Sequence, residues 1–536
     1  MNPQGYDFIV VGAGSAGCVV ANRLSANPDH RVLLLEAGGW DRNFWLRVPI
    51  GYYRSVFDHR FSRTFHTEPS EGIAGRSIPW PRGSVIGGSS SINGLIFIRG
   101  EPDGFDDWAE RGAPGWDYSS VLPYFKRIEN YSGEPSQFRG AYGELSVSDL
   151  RMRHPWCAAW IEAAKQHGLP ANPDFNAGTT FGAGSYQLSI GKRWRASSAK
   201  AFLHPIRRRS NLTIKTGSLA TRVLIGQQRA AGVEWTEGGV TQRAFAEGEV
   251  ILCGGALQSP QLLQLSGIGP ADLLRSHGIK VVADLPGVGE NLQDHLQVRT
   301  VLRLKRKQSL NNDIRDPLRL AQLGLEWLVS GSGPLTIGAG HAGAAACTEH
   351  ASDGRPDVQF LVMPLSIDRP GTPLHRFPGF TGVLWQCHPH SRGRLRIRSA
   401  DPRADPLIEP NYLMSEIDRK VMVAGLKMLR EIHRQPAFAD LWEQEVSPGE
   451  GVQTDEQILR FIRDTGGTIY HPSGTCRMGH GAGAVVDEKL KVHGISRLRV
   501  IDASVMPVIT SANTNAASIM IGEKGSNHVL QDVLRH

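Results

Sequence analysis

The 536-residue chain lacks several features that would have placed it quickly. Its six cysteines (Cys18, Cys157, Cys253, Cys347, Cys387, Cys476) include no C-x-x-C pair. A chain this large needs no disulfide framework, so reduced thiols in a reducing, cytoplasmic setting are expected. Cys387-His-Pro-His390 and the His471–Cys476–His480 stretch lack the paired short spacing of zinc ligands, and no metal site is expected. No run of about 18 apolar residues is present, so no transmembrane segment is expected. The first apolar run, Phe8 to Val11, breaks into Gly-Ala-Gly with no basic region before it, which argues against a signal peptide. No G-x-S-x-G occurs, which disfavours a serine esterase. Charge is nearly balanced, with 59 Lys and Arg against 52 Asp and Glu. The basic runs Arg207 to Arg209 and Arg303 to Lys307, and the alternating Arg394, Arg396 and Arg398, read as solvated surface, with an anionic partner as the alternative. No nucleic-acid motif accompanies them.

What the chain has in excess is glycine, 61 of 536 residues, clustered rather than periodic. Tyr6 to Val11 reads as a buried parallel strand. Gly12-Ala-Gly14-Ser15-Ala16-Gly17 follows at once, then Ala16, Val20 and Leu24 at helical spacing. A second buried strand, Arg31 to Leu35, ends in Glu36, nineteen residues past Gly17. Strand, G-x-G-x-x-G, helix, strand and acid form a dinucleotide unit. Gly12 permits the turn, Gly14 admits a pyrophosphate, Gly17 lets helix and strand pack, and Glu36 can bind ribose hydroxyls. A nicotinamide enzyme would continue in strand–helix repeats. This chain enters an irregular stretch, Gly38 to Trp80, and then a second glycine-rich segment, Gly87 to Gly94, whose backbone N–H groups can cradle a polar ring system. Two short strands, Glu249 to Cys253 and Arg499 to Asp502, each precede a helical pattern, Ala256 to Ser266 and Ala516 to Leu534.

Six segments in order make the chain resemble the glucose–methanol–choline oxidoreductases. They are Gly12-Ala-Gly-Ser-Ala-Gly17, Gly87-Gly-Ser-Ser-Ser-Ile-Asn-Gly94, Leu265-Ser-Gly-Ile-Gly-Pro270, Gly289-Glu-Asn-Leu-Gln-Asp-His295, His471-Pro-Ser-Gly-Thr-Cys-Arg-Met-Gly479 and Asp502-Ala-Ser-Val-Met-Pro507. Asn172-Pro-Asp-Phe-Asn176 and Asn513-Thr-Asn-Ala516 look most like bacterial alcohol dehydrogenases acting on sorbose or polyethylene glycol, and hydroxymethylfurfural oxidases are also similar. The resemblance implies an α/β fold: a Rossmann-like FAD-binding domain with an inserted antiparallel-sheet substrate domain. The FAD domain maps to 1–154 with 196–302 and 466–536, the substrate domain to 155–195 with 303–465.

By the same resemblance the cofactor is FAD, not NAD. Its site residues carry over as Gly12, Gly14, Ser15, Ala16, Gly17, Glu36, Ala37, Val85, Gly87, Gly88, Ser89, Asn93, Gly94, Leu95, Val223 (through its backbone, at the adenine), Tyr470, Asp502, Ala503, Asn515 and Ala516. Ile92 stands where tethered relatives carry a histidine, so the FAD is expected to be non-covalent. The implied activity is oxidation of an alcohol to a carbonyl, with a small-molecule alcohol and an electron acceptor as partners. A non-oxygen acceptor is preferred and an O2-using oxidase is the alternative. His471 matches the catalytic base; histidine suits that task because its unperturbed pKa is near neutrality. Asn515 matches the second catalytic position, where its amide can orient substrate oxygen or merely cap the C-terminal helix. Phe360, Val383 and Trp385 are expected on one sheet face, as pocket wall or as core. Gly331 to Gly340 is either a gate over the flavin or a surface loop. A photodecarboxylase, with Cys387 in a similar stretch, and a non-catalytic flavoprotein are disfavoured by His471 and Asn515.

Overall fold

A computed structural model describes residues 5–306, 309–368 and 371–534. Lys307, the last residue of one basic run, lies outside the described residues. The first layer is a seven-stranded sheet whose parallel core runs Leu212–Lys215, Val32–Leu35, Gly5–Val11 and Val240–Leu252, with Leu498–Val500 also on the last. An antiparallel hairpin, Ser218–Gly226 with Arg229–Glu237, extends it along the first half of Val240–Leu252. The apolar runs Phe8 to Val11 and Val32 to Leu35 are buried, as strands covered on both faces must be. The helix Ser15–Leu24 covers one face and is itself covered by the C-terminal helix Thr514–Val533. Gly17 makes the first packing possible, since a Cβ there would lie 1.9 Å from the Gly12 carbonyl oxygen. Arg23, Glu144 and Glu523 pair across the helix junction, with Arg23–Glu523 at 2.7 Å.

The second layer is a six-stranded antiparallel sheet in the order Ala342–Ala346, Val358–Met363, Gly379–Gln386, Leu296–Leu304 and Trp442–Ser447, with Gly467–Thr468 paired to Leu296 and Gln297. One face carries Val298, Phe360, Phe380 and Leu384 into a core with the helices Glu416–His433 and Pro155–Gln166. The other face looks toward the dinucleotide end of the first layer. We propose the two-unit division of the chain with two junctions displaced. The expected boundary at residue 302 falls inside Leu296–Leu304, which pairs with Gly379–Gln386, and the segment from 466 opens with a strand of the same sheet. The arginine alternation forms the short strand Arg394–Arg396; Arg394, Arg396 and Arg398 pair with Glu409, Glu290 and Glu68 at the surface.

Candidate active site

A cavity of about 690 Å³ lies between the layers. One end is built from the first strand–helix turn and the second glycine segment, the other from the open face of the antiparallel sheet.

At the first end, Gly14 occupies the N-cap of Ser15–Leu24 and no side chain caps that helix, so its first-turn N–H groups are left for an anion. Gly88, in the left-handed region at φ 53°, sits against this turn: a Cβ on it would fall 2.7 Å from the Gly14 Cα. The two glycine segments therefore form one cradle. Glu36 is buried beside it, its carboxylate accepting from the Ala13 N–H at 2.9 Å and the Gly38 N–H at 2.8 Å. Burial pushes its pKa up to about 7, against the pull of those two N–H groups. Asp502 accepts from the Gly255 N–H, the Ser259 hydroxyl and the Ser504 N–H at 2.6–2.8 Å, and so locks the Gly254–Gly255 turn to the end of the last parallel strand. An uncapped helix start, a glycine cradle and a buried acid at the strand end fit a dinucleotide such as FAD.

Of the residues expected around FAD, Gly12, Gly14, Ser15, Ala16, Glu36, Ala37, Gly88, Ser89, Asn93, Gly94, Leu95, Tyr470, Asp502, Ala503 and Asn515 line the cavity. Five stand behind the wall. Gly17 and Gly87 serve close packing, Val85 and Ala516 are buried, and the Val223 N–H donates to Ser266 Oγ at 2.8 Å. Instead of Val223, the hairpin contributes Ser218, Leu219 and Ala220 to a cavity of about 60 Å³ that shares Gly12, Glu36 and Gly254 with the large one. Ile92 lines the large cavity where a tether would need a nucleophile.

At the second end, strand register assembles the chemistry. Leu296 pairs with Thr468 antiparallel, so the chain beyond Thr468 runs back along residues before Leu296. The Ile469 N–H donates to the His295 carbonyl at 3.1 Å and the His471 N–H to Asp294 Oδ1 at 2.7 Å. Asp294 also accepts from Thr468 Oγ1 at 2.6 Å and from the Tyr412 hydroxyl. Tyr470 sits between in the left-handed region, φ 71°, and its carbonyl accepts from Arg82 Nη1 at 2.9 Å. A non-glycine residue held there stores about 1–3 kcal/mol, which the surrounding bonds must offset.

The imidazole of His471 is thereby set against two groups. Its Nδ1 meets His295 Nδ1 at 3.0 Å, and its Nε2 meets Asn513 Nδ2 at 3.0 Å. His295 Nε2 lies 3.0 Å from the Cys387 carbonyl oxygen. A carbonyl only accepts, so His295 carries its proton on Nε2 and, when neutral, offers a lone pair at Nδ1. Burial holds His295 neutral, with its pKa lowered to about 3. His471 must then donate from Nδ1, which leaves the lone pair on Nε2, the nitrogen facing Asn513. Burial, then His295 and Arg82, hold the His471 pKa well below the usual histidine value. The site contains a neutral imidazole in one tautomer, and Asn513 Oδ1 beside it is buried without a partner among the described residues.

The second catalytic position differs from expectation. Asn515 lines the cavity, but its Oδ1 accepts from Ser15 Oγ at 2.7 Å, tying the first helix to the last. The residue against His471 is Asn513, the N-cap of Thr514–Val533, whose side chain makes no capping bond and reaches the imidazole instead. The sequence marks neither Asn513 nor His295 as functional; His295 ends the Gly289 to His295 segment, and only the pairing of its neighbour Leu296 with Thr468 gives it a role. Register also corrects the substrate wall. Phe360 pairs with Leu384 and Leu361 with Val383, so Phe360 points into the core opposite the cavity. Val383 lines the cavity together with Leu361 and Met363, while Trp385 is fully buried behind it. In Gly331 to Gly340, Pro334, Leu335 and Ala339 line the cavity, so that segment forms part of its wall. Cys387 contributes its carbonyl and buries its thiol. Among the described residues no cluster could hold a metal ion, all six cysteines are unpaired, and no helix is long and apolar enough to cross a membrane.

Comparison with known proteins agrees with this architecture. Two family models, both described as GMC oxidoreductase, match residues 6–297 and 389–522. Human mitochondrial choline dehydrogenase is 42% identical, covering 97% of this chain and 89% of its own length. An alcohol dehydrogenase [acceptor] of Pseudomonas putida is 40% identical, covering 98% and 96%. Among solved structures, pyridoxine 4-oxidase from Mesorbium loti superposes with a TM-score of 0.89 at 30% identity, over 99% of this chain and all of the other. An FAD-carrying formate oxidase variant of Aspergillus oryzae RIB40 superposes over the whole of both chains with a TM-score of 0.92 at 27% identity.

Proposed function

We propose that this chain, which belongs to the GMC oxidoreductase family and binds FAD, oxidises an alcohol to the corresponding carbonyl with His471 as the base and passes the electrons to an acceptor other than oxygen. The bound FAD supplies a hydride acceptor for the carbinol carbon. The remaining work falls to the protein. The hydroxyl proton goes to His471 Nε2, whose lone pair is directed into the cavity because Nδ1–H is committed to His295 and His295 Nε2–H to Cys387. The Asn513 Nδ2–H that meets Nε2 gives way to the alcohol and can donate to its oxygen, and as the imidazole becomes charged the buried Asn513 Oδ1 can turn to it. Asp294 and the Arg82–Tyr470 contact keep the His471 backbone from rotating this arrangement away. The wall of Leu361, Met363 and Val383 excludes water from the developing carbonyl.

The single observation that supports this reading is the chain of contacts from the Cys387 carbonyl through His295 to His471 Nδ1, from which the tautomer of His471 follows. Loss of a general base costs on the order of a hundredfold or more. Under anaerobic conditions a panel of alcohols, choline among them, should bleach the flavin of the wild type. His471→Ala should slow that bleaching by about a hundredfold or more while FAD stays bound. Bleaching at the wild-type rate would overturn the assignment. Admitting air afterwards distinguishes the acceptors: slow recolouring supports a dehydrogenase, fast recolouring an oxidase. The unpaired thiols are consistent with the cytoplasmic setting we propose.

A further inference from the structure

Among the described residues, six charged side chains line the large cavity, and they are segregated. Both carboxylates, Glu36 and Asp502, are at the dinucleotide end, and each is held by backbone N–H groups. The other four are arginines, Arg54, Arg82, Arg299 and Arg315. Three of these have partners. Arg54 stacks on the Trp45 ring at 4.3 Å, Arg82 bonds the Tyr470 carbonyl beside Asp294, and Arg315 bonds the Leu374 and His375 carbonyls.

Arg299 differs. It lies on Leu296–Leu304 directly opposite Val383, on the face that lines the cavity. Among the described residues its Nη2 reaches only the neutral amide of Gln297 at 3.4 Å, and its Nη1 is buried with no partner. Tyr52 and Tyr470 are near enough to act on its charge, and Tyr470 directly precedes His471. Among the described residues no carboxylate of the cavity wall is at this end. A guanidinium left incompletely bonded in an apolar wall is costly unless an anion completes it, and its planar fork matches a carboxylate.

We infer that Arg299 is a specificity-determining residue and that the substrate, within the function proposed above, is an alcohol that also carries a carboxylate. The carboxylate pairs with the free edge of Arg299, and the hydroxyl is presented to His471 Nε2. Arg54, Arg299 and Arg315, with no carboxylate of the described cavity wall set against them, disfavour an alcohol that carries a fixed positive charge.

The test uses the FAD-loaded enzyme and a ladder of unbranched ω-hydroxy acids, each compared with the neutral alcohol and the trimethylammonio alcohol of the same length. The wild type should favour the hydroxy acid in kcat/KM for flavin reduction at one or more lengths, mainly through KM. Arg299→Ala should shrink the acid-to-neutral ratio about 30-fold, as expected for loss of a charge-assisted bond. Arg299→Lys should keep part of that ratio, and Arg299→Glu should reverse the order in favour of the cationic alcohol. Independently of turnover, butyrate, which has no hydroxyl to oxidise, should perturb the flavin spectrum of the wild type and not of Arg299→Ala. Equal kcat/KM for acid and neutral alcohols in the wild type would overturn the inference. So would loss of FAD from Arg299→Ala, since the guanidinium would then serve the cofactor. If no alcohol of any charge bleaches the flavin, it is the proposed function that fails; if neutral alcohols bleach it and charge is immaterial, only the role of Arg299 fails.

Discussion

Replacing His295 with alanine removes the acceptor of the His471 Nδ1–H bond while leaving every atom of His471 and Asn513 in place. The bond is 3.0 Å long and wholly buried. Without it the productive tautomer carries a buried N–H with no partner, a penalty of about 1–3 kcal/mol. The competing tautomer, protonated on Nε2, turns a donor toward the substrate and cannot take its proton. At 1.36 kcal/mol per decade, the rate of flavin reduction at saturating alcohol should fall about 5- to 150-fold. His295→Asn keeps an acceptor oxygen at the δ position and should recover most of the loss. The measurement is anaerobic stopped-flow bleaching, with FAD occupancy and circular dichroism recorded to show that the variants are folded. Reduction at the wild-type rate in His295→Ala would refute the tautomer argument. Equal slowing in the alanine and asparagine variants would reduce His295 to packing.

The pH dependence follows from the same burial. Because His471 is held well below its ordinary pKa, flavin reduction should stay flat from about pH 8 to 6.5 and decline only in more acid solution, a profile read by stopped flow. Stability should show the opposite pull of two sets of groups. His295 and His433, with folded pKa values near 3, and His154, His341 and His388, near 4, bind protons more readily when unfolded, so stability is lost as pH falls below about 6.5. Glu36 and Asp294, raised to about 7 and about 6, act the other way; the histidines outnumber them, and thermal melts should drop from pH 6.5 to 4. Glu36→Ala should give apoprotein after dialysis without altering the chemistry of any flavin retained; full occupancy would count against its place in the cradle. Acid precipitation of the wild type should leave a yellow supernatant and a colourless pellet, because Ile92 offers no nucleophile; a yellow pellet would reveal a tether.

The first strand, the glycine turn, the helix and Glu36 are legible in the sequence because their determinants are local. An apolar run buried on both faces, a helical period and a strand-end acid fall within residues 6–36, and each element is specified by its neighbours in the chain. The same locality makes His471 visible, in a turn-rich segment of fixed composition. What decides the active site is not local. His295 and His471 are 176 positions apart, and only the pairing of Leu296 with Thr468 puts their rings in contact. A shift of one residue in that pairing would turn the side chains to the other face, and no period in the sequence records the register. For the same reason the sequence does not show that Phe360 faces away from Val383: alternation is visible along one strand, but which residue of the next strand stands opposite it is not. Asn513 and Asn515 are equally plausible at the start of a helix, and the approach of Ser15 to one and His471 to the other separates them. The charge of the cavity is the least legible feature of all. It depends on Glu36 and Asp502 lying at one end and Arg299 at the other, and a distribution of charge in space exists only after the two sheets have closed over it.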